Sequence, residues 1–188
     1  EKLSTQAQTW VNRRLQFTHG YGFTMSPVNE VGADGRPIYL VQDIPPTGIF
    51  DVEQPQLYFG EKTNEYVIVK TNTQELDYAT GAETVYSFYQ GEGGVSLDGF
   101  LRRLVYAWQF GDFNILISSE LTPESRLLYY RNIRQRVNHL APFLELDSDP
   151  YLVVMDGKLF WIQDTYTTTD RYPYSAPLGG KLNYIRNS

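Results

Sequence analysis

The strongest hydrophobic period in the chain lies between residues 96 and 110. Leu97, Phe100, Leu101, Leu104, Val105 and Trp108 recur at offsets of 0, 3, 4, 7, 8 and 11, the spacing that lines one face of an α-helix. The pattern predicts a helix that starts near Ser96 and Asp98, buries that face and stops at Gly111. A second helix is predicted from Thr122-Pro123-Glu124, where Thr caps and Pro takes the first turn. Its inward face would be Tyr130, Ile133, Val137, Leu140 and Ala141, and Pro142 would stop it. A short N-terminal helix, capped by Ser4 or Thr5, would run through Trp10, Val11 and Leu15.

Elsewhere the pattern is that of strands. The segment from Phe17 to Val31, with Gly20, Gly22 and Pro27, reads as irregular or extended. Ile38 to Ile44, Leu57 to Phe59, Tyr66 to Lys70 and Thr84 to Tyr89 are short runs rich in Val, Ile, Tyr and Phe, and Pro45-Pro46 ends the first. Tyr151 to Met155 and Leu159 to Thr165 flank Asp156-Gly157, the strongest hairpin signal present; Leu182 to Ile185 reads as a last strand. The order predicts an α+β domain, a mainly antiparallel sheet with two principal amphipathic helices and a short N-terminal one.

The 188 residues, 41% of them hydrophobic, suffice for one packed domain, and 1–188 is read as a single soluble domain. The longest apolar runs, Leu104 to Trp108 and Tyr151 to Met155, are five residues each, against the roughly 18 a membrane span needs. The absence of Cys excludes disulfides, thiolate zinc sites and thiol nucleophiles. The net charge is −6: residues 1–94 carry 12 acids and 6 bases, residues 95–188 ten of each. Such a balance is wrong for binding a nucleic-acid backbone. Six arginines nevertheless gather between Arg102 and Arg136, and Arg102, Arg103, Arg126, Arg131 and Arg134 are the candidates for an anion or lipid-headgroup site. The competing reading is a set of solvated or ion-paired helix faces. The 15 tyrosines fall mostly in β-like runs and point to strand packing, with carbohydrate contact as the other use of such rings.

Catalytic chemistry is sparse. His19, between Thr18 and Gly20-Tyr21-Gly22, is a candidate general base or ligand, with Asp43 as a polar partner; hydrogen bonding within a turn is the alternative. His139 fits the C-terminus of a helix. The two histidines share no metal-ligand spacing. Asp147, Asp149 and Asp156 are oxygen ligands of the type a hard cation selects, but they lack the loop spacing of an EF-hand, and a polar turn before a strand is the favoured reading of the same residues. Gly91 to Gly94 lacks the Lys-Ser/Thr of a phosphate loop, and neither Ser26 nor Ser118 has a nucleophile-elbow context. No cofactor is implied, and the residues favour binding over catalysis.

Several runs together resemble an uncharacterised family of large bacterial multi-pass membrane proteins. They are Thr9-Trp10-Val11-Asn12, Thr18-His19-Gly20-Tyr21-Gly22, Ser26-Pro27-Val28-Asn29-Glu30-Val31, Asp43-Ile44-Pro45-Pro46, Tyr106-Ala107-Trp108 and Asn114-Ile115-Leu116-Ile117-Ser118. Asp149-Pro150-Tyr151-Leu152-Val153-Val154, Asp156-Gly157, Tyr172-Pro173-Tyr174-Ser175 and Asn183-Tyr184-Ile185-Arg186-Asn187-Ser188 complete the set. The resemblance implies a fragment of the domain that follows the transmembrane helices, standing outside the cytoplasm, with the parent in the cell membrane. Its expected role is recognition of an envelope component or partner protein. The alternatives are an envelope hydrolase using His19 with carboxylates, or a scaffold for the parent.

Overall fold

The computed structural model describes residues 9–81, 83–169, 171 and, as backbone, 184–187. It is an α+β fold in which every strand pairing is antiparallel. Among the described residues the strands make six small sheets and no single broad one. A helical turn at Asn12–Gln16, widened to π geometry, buries Leu15; the predicted cap at Ser4 or Thr5 lies outside the described residues. β1 (Gly20–Tyr21) pairs with β4 (Gln56–Leu57). β2 (Val41–Gln42) pairs with β3 (Thr47–Gly48), so the predicted strand from Ile38 to Ile44 shortens to two residues before the chain turns at Asp43 and the two prolines.

The centre is a three-stranded sheet in the order β5 (Val67–Val69), β9 (Arg126–Leu128), β8 (Val95–Ser96). Successive side chains of a strand point to opposite faces, and here both faces are covered. Ile68 and Leu127 enter one apolar cluster with Leu15, Tyr66, Leu97, Ala107, Ile115 and Leu121. Val67, Val69 and Leu128 enter a second, under Tyr58, Phe59 and Tyr89. The need to serve both clusters corrects the second predicted helix. Thr122 and Ser125 do not open a helix there; their hydroxyls donate to the Lys70 carbonyl at 2.9 and 3.0 Å, closing a turn that launches β9. The helix begins only at α3 (Ile133–Leu140), where the Asn132 side chain accepts from the Gln135 N–H.

β6 (Glu75–Thr80) and β7 (Glu83–Ser87) form a hairpin with a register shift around Asp77. α1 (Phe100–Phe110) starts after Gly99 and ends, as predicted, on Gly111 in the left-handed conformation; α2 (Asn114–Ile117) follows. β10 (Glu145–Leu146) joins β13 (Thr165–Thr169), which also pairs with β14 (Tyr184–Asn187). β11 (Tyr151–Met155) and β12 (Lys158–Ile162) form the predicted hairpin. Its two turn residues, Asp156 and Gly157, have φ of 51° and 72°, the signature of the turn that matches strand twist.

The main correction concerns α1. The stripe predicted to be buried, apart from Leu97, faces outward: Leu101 is 74% and Trp108 87% exposed, and Phe100, Leu104 and Val105 are exposed as well. The inner face is Arg103, Tyr106, Ala107 and Phe110, also at helical spacing. Arg103 occupies that face because its guanidinium donates to the carbonyls of Leu97, Leu121 and Thr122 at 3.2 to 3.4 Å.

Candidate functional site

His19 sits at the start of β1, where pairing with β4 carries its ring onto β6. The side chain is wholly buried. Its Nε2–H donates to Asp77 Oδ1 at 2.9 Å. Nδ1 lies 2.9 Å from the Thr18 hydroxyl and 3.4 Å from Glu75 Oε2. Glu75, 1% exposed, accepts from the hydroxyls of Tyr58 and Thr18 and from the Tyr89 N–H. Asp77 accepts from the Gln56 amide and the Ser87 hydroxyl, each at 3.1 Å. The His19 ring lies 4.7 Å from that of Tyr58. Burial first, and then the charge and hydrogen bond of Glu75, push the Tyr58 phenol well above its ordinary value.

Arg131 closes the same network from the other side. It is buried and donates to the carbonyls of Tyr58 (2.7 Å), Glu65 (3.2 Å) and Thr18. Burial lowers its guanidinium to about 10, against the pull of Tyr58, Glu65 and Glu75. The arrangement satisfies two interior carboxylates with an imidazole, three hydroxyls, a side-chain amide and a backbone N–H, the condition for burying such groups at all. With the imidazole buried and both ring nitrogens engaged, it staples the N-terminal segment to β6. Asp43 stands elsewhere, exposed in the β2–β3 turn at φ 70°, with the Thr47 hydroxyl donating to it. Glu75, Asp77 and Tyr58 were not anticipated. The available signal was two acids two residues apart in a β-like run, which alternation places on one face.

The five candidate arginines are not gathered at one point. Arg103 and Arg131 donate to backbone as described, and Arg126 donates to the carbonyls of Glu92 and Gly94 at 2.7 and 3.0 Å. Arg102 is exposed on α1, and Arg134 borders a polar cleft on α3 with Lys62 and Gln135. Asp147 and Asp149 form a turn in which the Asp147 carboxylate accepts from the Asp149 N–H and the Tyr166 hydroxyl. Among the described residues no three His, Asp or Glu side chains are placed to hold a metal ion, and no helix is long and apolar enough to cross a membrane.

The most conspicuous surface is the outer side of α1. Phe100, Leu101, Leu104, Val105 and Trp108 form one stripe, and Phe113, just before α2, and Ile117, at its end, add to it, each about three-quarters exposed. A helix apolar on both sides belongs between two packed layers, and contiguous apolar exposure on this scale marks an interaction surface.

The chain is 55% identical over its whole length to a "UPF0182 protein" of Pelotomaculum thermopropionicum, of which it covers 21%. It is 52% identical, over 99% of its length, to one of Sulfurovum sp., again covering 21% of the relative. It is 46% identical over its whole length to one of Trichodesmium erythraeum, covering 23%. The chain thus spans about a fifth of the length of the curated relatives it matches. No solved structure matches it. The family described as "Uncharacterised protein family (UPF0182)" matches residues 1–188, and the chain belongs to that family.

Proposed function

We propose that this domain is an interaction module within a longer protein, and that the outer face of α1 docks on another part of the same polypeptide. The carrying observation is the exposed stripe from Phe100 to Trp108 on a helix whose opposite side is already packed. Burying such side chains is worth about 1.5–3 kcal/mol each, so leaving five in water is tolerable only where a partner covers them. Relatives are nearly five times as long as the matched segment, so the covering surface is close at hand and held at high effective concentration. The family resemblance supports attachment of the longer protein to the cell membrane, with this domain on the extracytoplasmic side and an envelope component or protein as its external partner.

Both parts are testable in the full-length protein. A photo-crosslinking residue at Trp108 should join this domain to a peptide elsewhere in the same chain, located by mass spectrometry. Cross-links only to a second copy or to another protein, or none at all, overturn the docking. This segment has no Cys, so Glu83→Cys in the full-length protein, with any cysteine outside the segment replaced by Ser, gives a clean probe of side: a membrane-impermeant maleimide should label it in intact cells. Labelling only after lysis overturns the extracytoplasmic placement.

A further inference from the structure

A pocket of ≈ 320 Å³ opens between α3 and the β5–β9–β8 sheet, away from the outer face of α1. Its walls are Phe59, Val95, Leu128 and Leu140 with the rings of Tyr129 and Tyr130, and the basic side chains on it are Arg136 and His139. No carboxylate lines it, although the chain as a whole carries −6. Among the described residues Arg136 has no ion-pair partner; its guanidinium carbon lies 4.7 Å from the centre of the Phe59 ring, a cation–π contact that leaves N–H donors for an acceptor. His139 is held by the Tyr130 ring at 4.0 Å. Tyr130 takes a left-handed φ of 48° to present that ring, a conformation bulky residues avoid and that concentrates at ligand sites. On the far wall Gly94, at φ 93°, lets the chain run so close to β9 that a Cβ there would lie 2.7 Å from Leu128.

We propose that this pocket binds a small single-chain amphiphile with an anionic head, the head on the Arg136 fork beside His139 and the chain along Val95, Leu128 and Leu140. A guanidinium edge pairs bidentately with carboxylate or phosphate, and its low desolvation cost on an aromatic face suits a half-buried site. The wall along Val95, Leu128 and Leu140 carries no polar side chain, so the part of the ligand lying there is hydrocarbon. The volume is at the small end for ligand pockets, which restricts the chain to one. Fatty carboxylates and monoalkyl phosphates share this chemistry.

Calorimetric titration of the 188-residue chain with decanoate, decyl phosphate, decanol and inorganic phosphate, all below micellar concentration, tests the assignment. The two anionic amphiphiles should bind at least tenfold more tightly than decanol, the tighter of them naming the source, and inorganic phosphate should not bind. Arg136→Gln, on an exposed position, should erase the preference over decanol, and Leu140→Asp should abolish binding of every tailed probe. Equal binding of decanol and decanoate, or parent-like binding in either variant, overturns the proposal. Leu101→Ser/Trp108→Ser, which alters only the α1 face, should bind like the parent; loss there would locate the amphiphile on α1 and overturn the pocket without touching the docking reading.

Discussion

Glu75 is the residue on which the interior polar network turns, since it takes the hydroxyls of Thr18 and Tyr58 and the Tyr89 N–H at once. Glu75→Ala would strand those donors and leave His19 without one of its two carboxylates, a loss of about 3 kcal/mol or more measurable as a lower urea midpoint; Glu75→Gln should cost less because it still accepts. Ionisation gives a second handle. The phenols of Tyr58 and Tyr66 are raised in the fold, Tyr66 by burial first and then by its hydrogen bond to Asp112. Below pH 10 both states hold the proton and nothing changes. Above it the unfolded chain releases protons that the folded chain keeps, so stability should fall by about 1.4 kcal/mol per pH unit for each tyrosine. Tyr66→Phe should flatten that alkaline slope by one proton's worth in urea titrations from pH 10 upward, and an unchanged slope would refute the assignment. His19 was legible as a special position because Gly20 and Gly22 flank it. Its partners were not, because Glu75 and Asp77 reach it from more than fifty residues away and nothing local marks an acid as buried.

At the scale of elements, legibility followed how local the determining interaction is. The Asp156-Gly157 hairpin and the Gly111 stop are settled by backbone preferences of one or two residues, and both stand where the sequence placed them. The helix expected from Thr122 failed because Leu127 and Leu128 must reach clusters on opposite faces of β9, a demand made by β5 and invisible in the segment itself. α1 was recognised with the wrong side inward: it carries two apolar stripes, and the one with Phe100, Leu101 and Trp108 is the greasier. The inner stripe wins because Arg103 finds three carbonyls there and Ala107 permits close approach. In the 188-residue chain, Leu101→Ser and Trp108→Ser should therefore change folding stability by no more than about 0.5 kcal/mol. Phe110→Ala, which opens a gap beside Tyr66 and Tyr129, should cost about 3 kcal/mol. Chemical denaturation of the three variants separates the two faces.

At the scale of the molecule, the fold is a set of small antiparallel sheets around two apolar clusters, with a third apolar layer on the outside of α1. Separated from the rest of its polypeptide, the chain should self-associate as concentration rises, and Leu101→Ser/Trp108→Ser should suppress this in sedimentation velocity; a parent chain that stays monomeric would remove the premise of a docking face. The α+β class could be read from the sequence because alternation and helical period are local. The division into many short sheets could not, because what joins them is long-range side-chain to backbone bonding. Arg131 to the Thr18 carbonyl spans 113 positions, and the Trp161 indole to the Phe59 carbonyl 102. Those spans set a clock. A ribosome adding about 5–20 residues per second delivers Arg131 roughly 6–23 s after Thr18, so the first strands wait in the nascent chain with those backbone carbonyls unmet. The domain completes itself late in its own synthesis, and any helper that shields a growing chain has its work concentrated in that interval.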